Sequence, residues 1–149
     1  MSNYPNGTFN LRVYGIYIND GKLLISDELF NGIKMTKFPG GGLQYGEGTL
    51  ECLEREFMEE FGYKIEVKEH LYTTDYFQKA LYFEKTQLIS IYYIIDIISE
   101  NNIPTLTKHI EATEKEPQIL RLTPINQLSV EDFTFPIDQK VVEMIKSRF

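Results

Sequence analysis

The 149-residue sequence contains a single cysteine, Cys52, and no long hydrophobic run. One cysteine cannot form a disulfide within the chain, so a reducing cytoplasm is the expected location. The longest apolar stretch, residues 88–98, is interrupted by Ser90 and Asp96 and is too short to cross a bilayer. Residues 1–10 lack the basic start and the apolar run of a signal peptide. These absences predict a cytoplasmic protein without a membrane segment.

Positive charge is also scarce. The chain has 15 Lys and Arg residues against 22 Asp and Glu residues, which gives a formal net charge of −7. Non-specific binding to nucleic acid needs cationic side chains that neutralise phosphates, so we expect none here. A small phosphate-bearing ligand can still bind if a metal cation mediates the contact. Acidic residues are then the binding groups, and the composition is also compatible with a homodimer.

No repeat, low-complexity tract or Pro/Gly-rich linker divides the chain, so residues 1–149 are expected to form one domain. Patterns rich in β-formers predict strands at residues 9–18, 22–26, 35–38, 65–77, 87–98 and 117–122. The first two would form a hairpin. Residues 49–61 and 137–146 show helical spacing, and Gly62 is a stop signal for the first helix. This order predicts an α/β domain with a mixed sheet between helices.

The most informative segment runs from Gly41 to Tyr63 and reads GGLQYGEGTLECLEREFMEEFGY. Its first glycine is followed after five residues by a glutamate, and after seven more by an Arg-Glu pair. A second glutamate pair and a glycine close the segment. The positions concerned are Gly41, Glu47, Arg55, Glu56, Phe57, Glu59, Glu60, Gly62 and Tyr63. This pattern resembles the Nudix box, G-x5-E-x7-R-E-U-x-E-E-x-G-U, where U is a bulky apolar residue. Tyr63 is more polar than the usual aliphatic residue at the last position.

The spacing of the glutamates has a physical meaning of its own. A helix turns roughly 100° per residue, so Glu56, Glu59 and Glu60 fall within an arc of about 100° on one face. Carboxylates at this spacing repel one another, and nothing in the helix itself offsets that cost. A hard divalent cation would offset it, because Mg²⁺ prefers oxygen ligands. The sequence therefore predicts a Mg²⁺ site, with Mn²⁺ as a substitute, held by these three glutamates.

The resemblance implies a fold and an activity. The fold is a Nudix-type α/β/α sandwich with a mixed central sheet. The activity is metal-dependent hydrolysis of a phosphoanhydride bond in a nucleoside diphosphate linked to another moiety. By resemblance, the main-chain carbonyl of Gly40 joins the metal ligands and Arg55 holds a catalytic carboxylate in place. Glu47 bonds to Arg55 or to water at the metal. The expected catalytic residues are thus Glu56, Arg55 and Glu47, with Glu56 as the general base.

Substrate contacts are predicted at two further places. Gly41 and Gly42 allow the main chain to approach a ligand closely. Among the aromatic residues that follow the box, one can stack on a nucleobase; the candidates are Tyr76, Phe77, Tyr82 and Phe83. A late acidic loop offers a further metal ligand or base through one of Glu111, Glu114 and Glu116.

Three alternative functions are compatible with this fold. The first is a catalytically silent sensor that binds a nucleotide, and the second is an isomerase acting on an isoprenyl diphosphate. The isomerase would need a catalytic cysteine outside the box, whereas Cys52 lies within the predicted helix. The third is a purely structural interaction domain, which gives no reason to keep three repelling carboxylates. Nucleoside triphosphates, nucleotide sugars and dinucleotides all stay open as substrates.

Overall fold

The computed structural model describes residues 7–149. The strands are β1 Thr8–Ile16, β2 Ile18–Asn19, β3 Lys22–Phe30, β4 Ile33–Lys37, β5 Gly40–Gly42, β6 Ile65–Thr73, β7 Thr86–Ile97 and β8 Gln118–Pro124. The helices are α1 Thr49–Phe61 and α2 Pro136–Arg148, and two short 3₁₀ turns span Ile125–Gln127 and Val130–Asp132. No helix between residues 7 and 149 is long and apolar enough to span a membrane. Residues 1–6 of the segment assessed for a signal peptide lie outside the described residues.

The strands form two sheets. The first has the order β5-β1-β7-β6, in which β1 and β7 are parallel and the other two pairs are antiparallel. This is the mixed sheet that the sequence predicted. In the second sheet β3 pairs with β2, β4 and β8, always antiparallel. The second sheet was not predicted as a separate unit.

The hairpin predicted for residues 9–18 and 22–26 is wrong for most of its length. Only the short strand β2 pairs with β3 in that way, while β1 runs parallel to β7. The reason lies in the burial of β1 on both faces, since Val13 packs in the core beneath α1 and Tyr14 in the core beneath α2. A strand covered on both faces belongs in the interior of a sheet.

Two strand ends also differ from the prediction. Strand β3 continues past Asp27 and Glu28, which interrupt its apolar pattern, because these side chains are buried with polar partners. The carboxylate of Asp27 accepts hydrogen bonds from Nε of Arg121 at 2.7 Å and from Oγ1 of Thr36 at 3.0 Å. Strand β6 ends at Thr73 after two register shifts in its pairing with β7, earlier than the predicted residue 77.

The two helices cover opposite faces of the mixed sheet. Leu53 and Phe57 of α1 share a core with Val13, whereas Val141 and Ile145 of α2 belong to the core around Tyr14 and Phe38. These layers confirm the predicted α/β sandwich. Because α1 packs through one face, its opposite side and edges are left for the acidic residues.

Helix α1 has the predicted bounds, Thr49 to Phe61. At its start, Oε1 of Glu51 accepts a hydrogen bond from the main-chain N–H of Gly48 at 3.1 Å. At its end, Gly62 adopts a left-handed conformation with φ of 72°, and its N–H donates to the carbonyl of Met58 at 3.0 Å. This conformation favours glycine and is tolerated by asparagine.

Replacing Gly62 tests this helix end. A Cβ at Gly62 would meet no atom within 4 Å, so only backbone strain is introduced. We expect Gly62→Ala to lower the free energy of unfolding by about 1 kcal/mol, and Gly62→Asn to lower it less. Urea unfolding of the three proteins measures both effects. Equal stability of the alanine variant and the parent would contradict the left-handed conformation of Gly62.

Candidate active site

One arginine connects the acidic residues of the site. Arg55 uses all five of its N–H donors. Its Nε and Nη2 donate to the two carboxylate oxygens of Glu47 at 2.9 and 2.8 Å. Its Nη1 donates to Glu56 at 3.0 Å and to Glu59 at 3.1 Å, and Nη2 also donates to the carbonyl of Gly42 at 3.1 Å. Arg55 therefore joins α1 to the loop before it and to β5.

The pairing with Arg55 fixes the charge of Glu47. The hydrogen bonds from Arg55 lower the pKa of Glu47 to about 2, and the main-chain N–H of Gln44 adds a further hydrogen bond at 2.8 Å. The same contacts with Glu47 raise the pKa of Arg55. Both side chains are therefore charged at neutral pH, and Glu47 positions Arg55.

The glycines of β5 let α1 approach the sheet edge. A Cβ at Gly41 would lie 2.2 Å from Cδ of Glu56, so the Glu56 carboxylate fills the space that a side chain would need. A Cβ at Gly40 would lie 2.0 Å from the carbonyl oxygen of Val13 on β1. The glycine run thus lets the main chain approach Glu56 and β1 closely, and its approach to a ligand stays a prediction.

Glu60 is the carboxylate with the most altered acidity. Burial, and next the adjacent carboxylate of Glu56, raises the pKa of Glu60 to about 8. Glu28, at the end of β3, is a further carboxylate that raises it. Two carboxylates held this close favour a shared proton or a bound cation between them.

The three glutamates do not yet converge on one point. Within residues 7–149, no group of three or more His, Cys, Asp or Glu side chains is arranged closely enough to hold a metal ion. The side chain of Glu59 is 61% exposed, and its Oε2 accepts a hydrogen bond from Nη1 of Arg55. The donors are nevertheless carboxylate oxygens, which Mg²⁺ prefers. The chemistry of these side chains therefore fits a divalent cation, and Gly40 stands at the start of β5.

A cavity of about 260 Å³ lies next to these carboxylates. Its polar wall comprises Asn10, Arg12, Tyr14, Glu28, Lys37, Ser90, Tyr92, Gln118 and Asp138. Its apolar wall includes Phe30, Met35, Leu81, Tyr82, Phe83, Leu88, Phe135 and Ile137. The cavity and the acidic face are neighbours. After Tyr14, the Glu56 carboxylate contributes to the raised pKa of Arg12. A hydrogen bond with Gln118 lowers the pKa of Glu60, and the carboxylate of Glu28 raises it.

The predicted aromatic contacts separate into two groups. Tyr82 lines the cavity and meets Phe135 edge to face, with ring centroids 6.2 Å apart. Tyr76 and Phe77 do not line it. The ring of Tyr76 lies 4.9 Å from Nζ of Lys140, and Phe77 is 71% exposed.

The late acidic loop does not line the cavity either. Glu111 forms an ion pair with Lys34 of β4 at 2.6 Å, which lowers the pKa of Glu111. Glu114 and Glu116 are exposed. The loop is anchored to β3, because the main-chain N–H of Ile110 donates to Asp27 at 2.8 Å.

Four buried or half-buried charged residues of the cavity wall were missed from the sequence, namely Arg12, Glu28, Lys37 and Asp138. Each lies in an apolar strand or beside the apolar face of a helix. An ionisable residue inside such a pattern is the signal that could have found them.

Comparison with known proteins agrees with this geometry. The NUDIX domain model matches residues 9–144. The chain is similar in structure to the E. coli ORF135 protein, with 18% identity, a TM-score of 0.70 and coverage of 95% of this chain and 91% of that one. It is also similar to a NUDIX hydrolase from Nitrosomonas europaea, with 17% identity, a TM-score of 0.71 and coverage of 93% and 88%. No curated protein matches the sequence.

A MutT NUDIX hydrolase from Burkholderia pseudomallei shares 14% identity with a TM-score of 0.70, and the match covers 92% of this chain and 98% of that one. At such low identity, structural likeness shows the fold alone. The family follows from the domain model, which covers most of the chain. The chain belongs to the NUDIX family and is a hydrolase acting on phosphorus-containing acid anhydrides.

Proposed function

We propose that the protein is a metal-dependent hydrolase that cleaves a phosphoanhydride bond in a nucleoside diphosphate linked to another moiety. The observation that carries the proposal is the pair of adjacent carboxylates, Glu56 and Glu60, in which burial and next the Glu56 carboxylate raise the pKa of Glu60 to about 8. Such a pair is costly for a structural role and suits Mg²⁺, with Mn²⁺ as a substitute.

The residues take the following roles. Glu56, Glu59, Glu60 and the carbonyl of Gly40 would hold the cation. When bound, a divalent cation neutralises the diphosphate and activates a water molecule for attack. Glu56 acts as the general base that accepts the proton of the attacking water. Arg55 positions Glu56 through its hydrogen bond at 3.0 Å, and Glu47 positions Arg55 in turn.

The remaining part of the nucleotide occupies the cavity. Gly41 and Gly42 form the part of β5 nearest to Glu56 and Arg55, so the diphosphate lies there. Among the aromatic residues of the cavity wall, Tyr82 is one that is available for stacking on a base. Tyr76 and Phe77 contribute only if their segment moves toward the cavity.

Cys52 bears on the isomerase alternative and on location. Cys52 is buried, and burial raises the pKa of its thiol to about 12, which disfavours a nucleophilic role. A free thiol of this kind is typical of proteins in a reducing cytoplasm, which we propose as the location. We also propose that residues 1–149 belong to one hydrolase domain.

Removing the metal tests the central claim. Activity on a panel of nucleoside triphosphates, nucleotide sugars and dinucleotides should vanish in excess chelator and return when Mg²⁺ is added in excess, because the acidic ligands alone cannot neutralise the diphosphate. Phosphate or nucleotide release, measured by chromatography, reports the activity. Full turnover in chelator would exclude the metal-dependent mechanism.

Glu60→Gln separates chemistry from folding. The folded protein holds the Glu60 proton more tightly than the unfolded chain, so without metal the free energy of unfolding falls as the pH rises from about 4.5 to about 8. We expect the stability advantage of the variant over the parent to grow as the pH rises through that range, and the variant to lose turnover by orders of magnitude. Thermal unfolding in chelator at several pH values measures the first effect.

Two further variants complete this experiment. Glu59→Gln should also cut turnover strongly while keeping stability, because its carboxylate is mostly exposed. Glu54→Gln is the matched control, since Glu54 is an exposed glutamate of the same helix. A large fall in the melting temperature of Glu60→Gln in chelator would mean that this carboxylate stabilises the fold.

The general base is tested by comparing two parts of the molecule. At saturating Mg²⁺, Glu56→Gln should lower the rate by about 10²–10⁴, the typical cost of losing a general base. Single changes of Glu111, Glu114 or Glu116 to Gln should cost far less, because Glu111 is paired with Lys34 and the other two are exposed on the loop. A larger loss from any of the three would move the base to the late loop.

A further inference from the structure

Helix α1 covers only part of its face of the mixed sheet. Val13 of β1 packs in the core beneath α1. Phe9 and Leu11 point to the same face as Val13, because side chains two residues apart share one face of a strand. They are 64% and 37% exposed, and neither belongs to a core cluster of residues 7–149. The first half of β1 is therefore uncovered on the α1 side.

Strand β7 continues this uncovered surface. In the parallel pairing of β1 with β7, Leu11 lies beside Ile89 and Val13 lies beside Ile91. Residues paired in this way point to the same face of a sheet, so both isoleucines lie on the α1 side. Both are half-buried, and neither packs in a core cluster of the described chain.

Phe77 extends the surface to the other side of β7. The segment after β6 returns antiparallel to the start of β7, with Lys79 opposite Gln87. Continuing this register sets Phe77 opposite Ile89, on the same face of the sheet. The side chain of Phe77 is 71% exposed. We call the resulting apolar surface the open face, and it consists of Phe9, Leu11, Phe77, Ile89 and Ile91.

The open face and the cavity lie on opposite sides of the sheet. The cavity is lined by Asn10, Arg12, Leu88 and Ser90, which alternate with the open-face residues along β1 and β7. A substrate in the cavity therefore leaves the open face in water. Its two phenylalanines alone present roughly 250 Å² of apolar area at this exposure. An apolar patch of a few hundred Å² on a soluble protein is typical of an interaction site.

We infer that the open face is a homodimer interface, on which a second copy of this chain packs its own open face across a two-fold axis. The shape of the surface supports this occupant. Helix α1 stands over the other half of the sheet, since Oγ1 of Thr49 lies 2.7 Å from the hydroxyl oxygen of Tyr93. The sheet of a second copy fits beside α1 only with its strands antiparallel, because parallel strands would bring both α1 helices to the same end.

Charge at the two ends of the open face also fits a second copy. Where β7 begins, Lys79 and Lys85 are exposed beside a single acidic residue, Glu84. At the opposite end, the first turns of α1 carry the exposed carboxylates of Glu51 and Glu54. Antiparallel two-fold packing sets the lysine end of each copy beside the glutamate end of the other. The surface is therefore complementary to itself in charge as well as in apolar character.

The size of the open face indicates a reversible dimer. Standard interfaces bury about 800 Å² per partner, and weak ones bury less than about 600 Å². An apolar centre of a few hundred Å² with charged ends belongs to the weaker class. The net charge of −7 also makes two copies repel one another. We therefore expect association that depends on protein concentration.

Sedimentation velocity of the full chain over a wide range of concentration tests the inference. We expect a monomer–dimer equilibrium. Phe9→Asp and Phe77→Asp should each weaken the dimer by about 10-fold or more, because each places a charge in the apolar centre. Phe149→Asp is the matched control. It makes the same change at a phenylalanine that is 50% exposed at the end of α2, on the other side of the sheet, and should leave association unchanged.

A mixing experiment tests the two-fold arrangement. Lys85→Glu and Glu54→Lys should each weaken self-association, because like charges then meet at both ends of the interface. An equimolar mixture of the two variants should associate as the parent does, since each variant supplies the charge that the other needs. Neither measurement reads hydrolysis, so a failure of the proposed function leaves the outcome unaffected.

Several results would overturn the inference. One is a parent protein that stays monomeric at every concentration. If such a monomer binds phosphatidylcholine vesicles through Phe9 and Phe77, the open face belongs to a membrane contact. If its melting temperature falls strongly in Phe9→Asp and Phe77→Asp, residues of the same chain cover the face. A dimer that persists unchanged in both folded variants would place the interface elsewhere, and a mixture that stays monomeric would exclude the two-fold packing.

Discussion

The acidic site depends on one guanidinium group. Arg55 reaches the loop before α1, strand β5 and two glutamates of its own helix, and all five donors are used. Because the guanidinium is planar and rigid, these acceptors are fixed relative to one another. A lysine carries three donors on a single nitrogen, so it could not hold these acceptors in one fixed arrangement.

This arrangement requires α1 to lie close to the sheet, and two glycines make that approach possible. A Cβ at Gly15 would lie 2.9 Å from Cδ1 of Ile95 and 3.0 Å from the ring of Phe57, which anchors α1. A Cβ at Gly41 would occupy the place of the Glu56 carboxylate. The lack of a side chain at Gly15 on β1 and at Gly41 on β5 thus allows both the apolar and the acidic face of α1 to pack against the sheet. The core and the site are set by the same contact.

The sequence predicted α1 and its acidic face well, because both depend on local spacing. The helical period, Gly62 and the relation of Arg55 to Glu56 all lie within one continuous segment. The cavity was not predictable in the same way. Lys37 and Asp138 are far apart in the chain and line one cavity because β4 is joined to the segment before α2, where the main chain of Thr36 exchanges hydrogen bonds with Thr134. Local patterns do not specify such long-range pairing.

Buried charge is treated differently in two parts of the molecule. Asp27 is fully paired, with Nε of Arg121 at 2.7 Å and the N–H of Ile110 at 2.8 Å, so the chain can satisfy a buried carboxylate completely where it is structural. Around the cavity, in contrast, Glu60 faces another carboxylate, and Lys37 and Asp138 keep unused hydrogen-bonding groups. Each of these unpaired buried groups lowers the stability of the folded protein as long as no ligand is bound. Their concentration in one region supports the proposal that a cation and a substrate bind there.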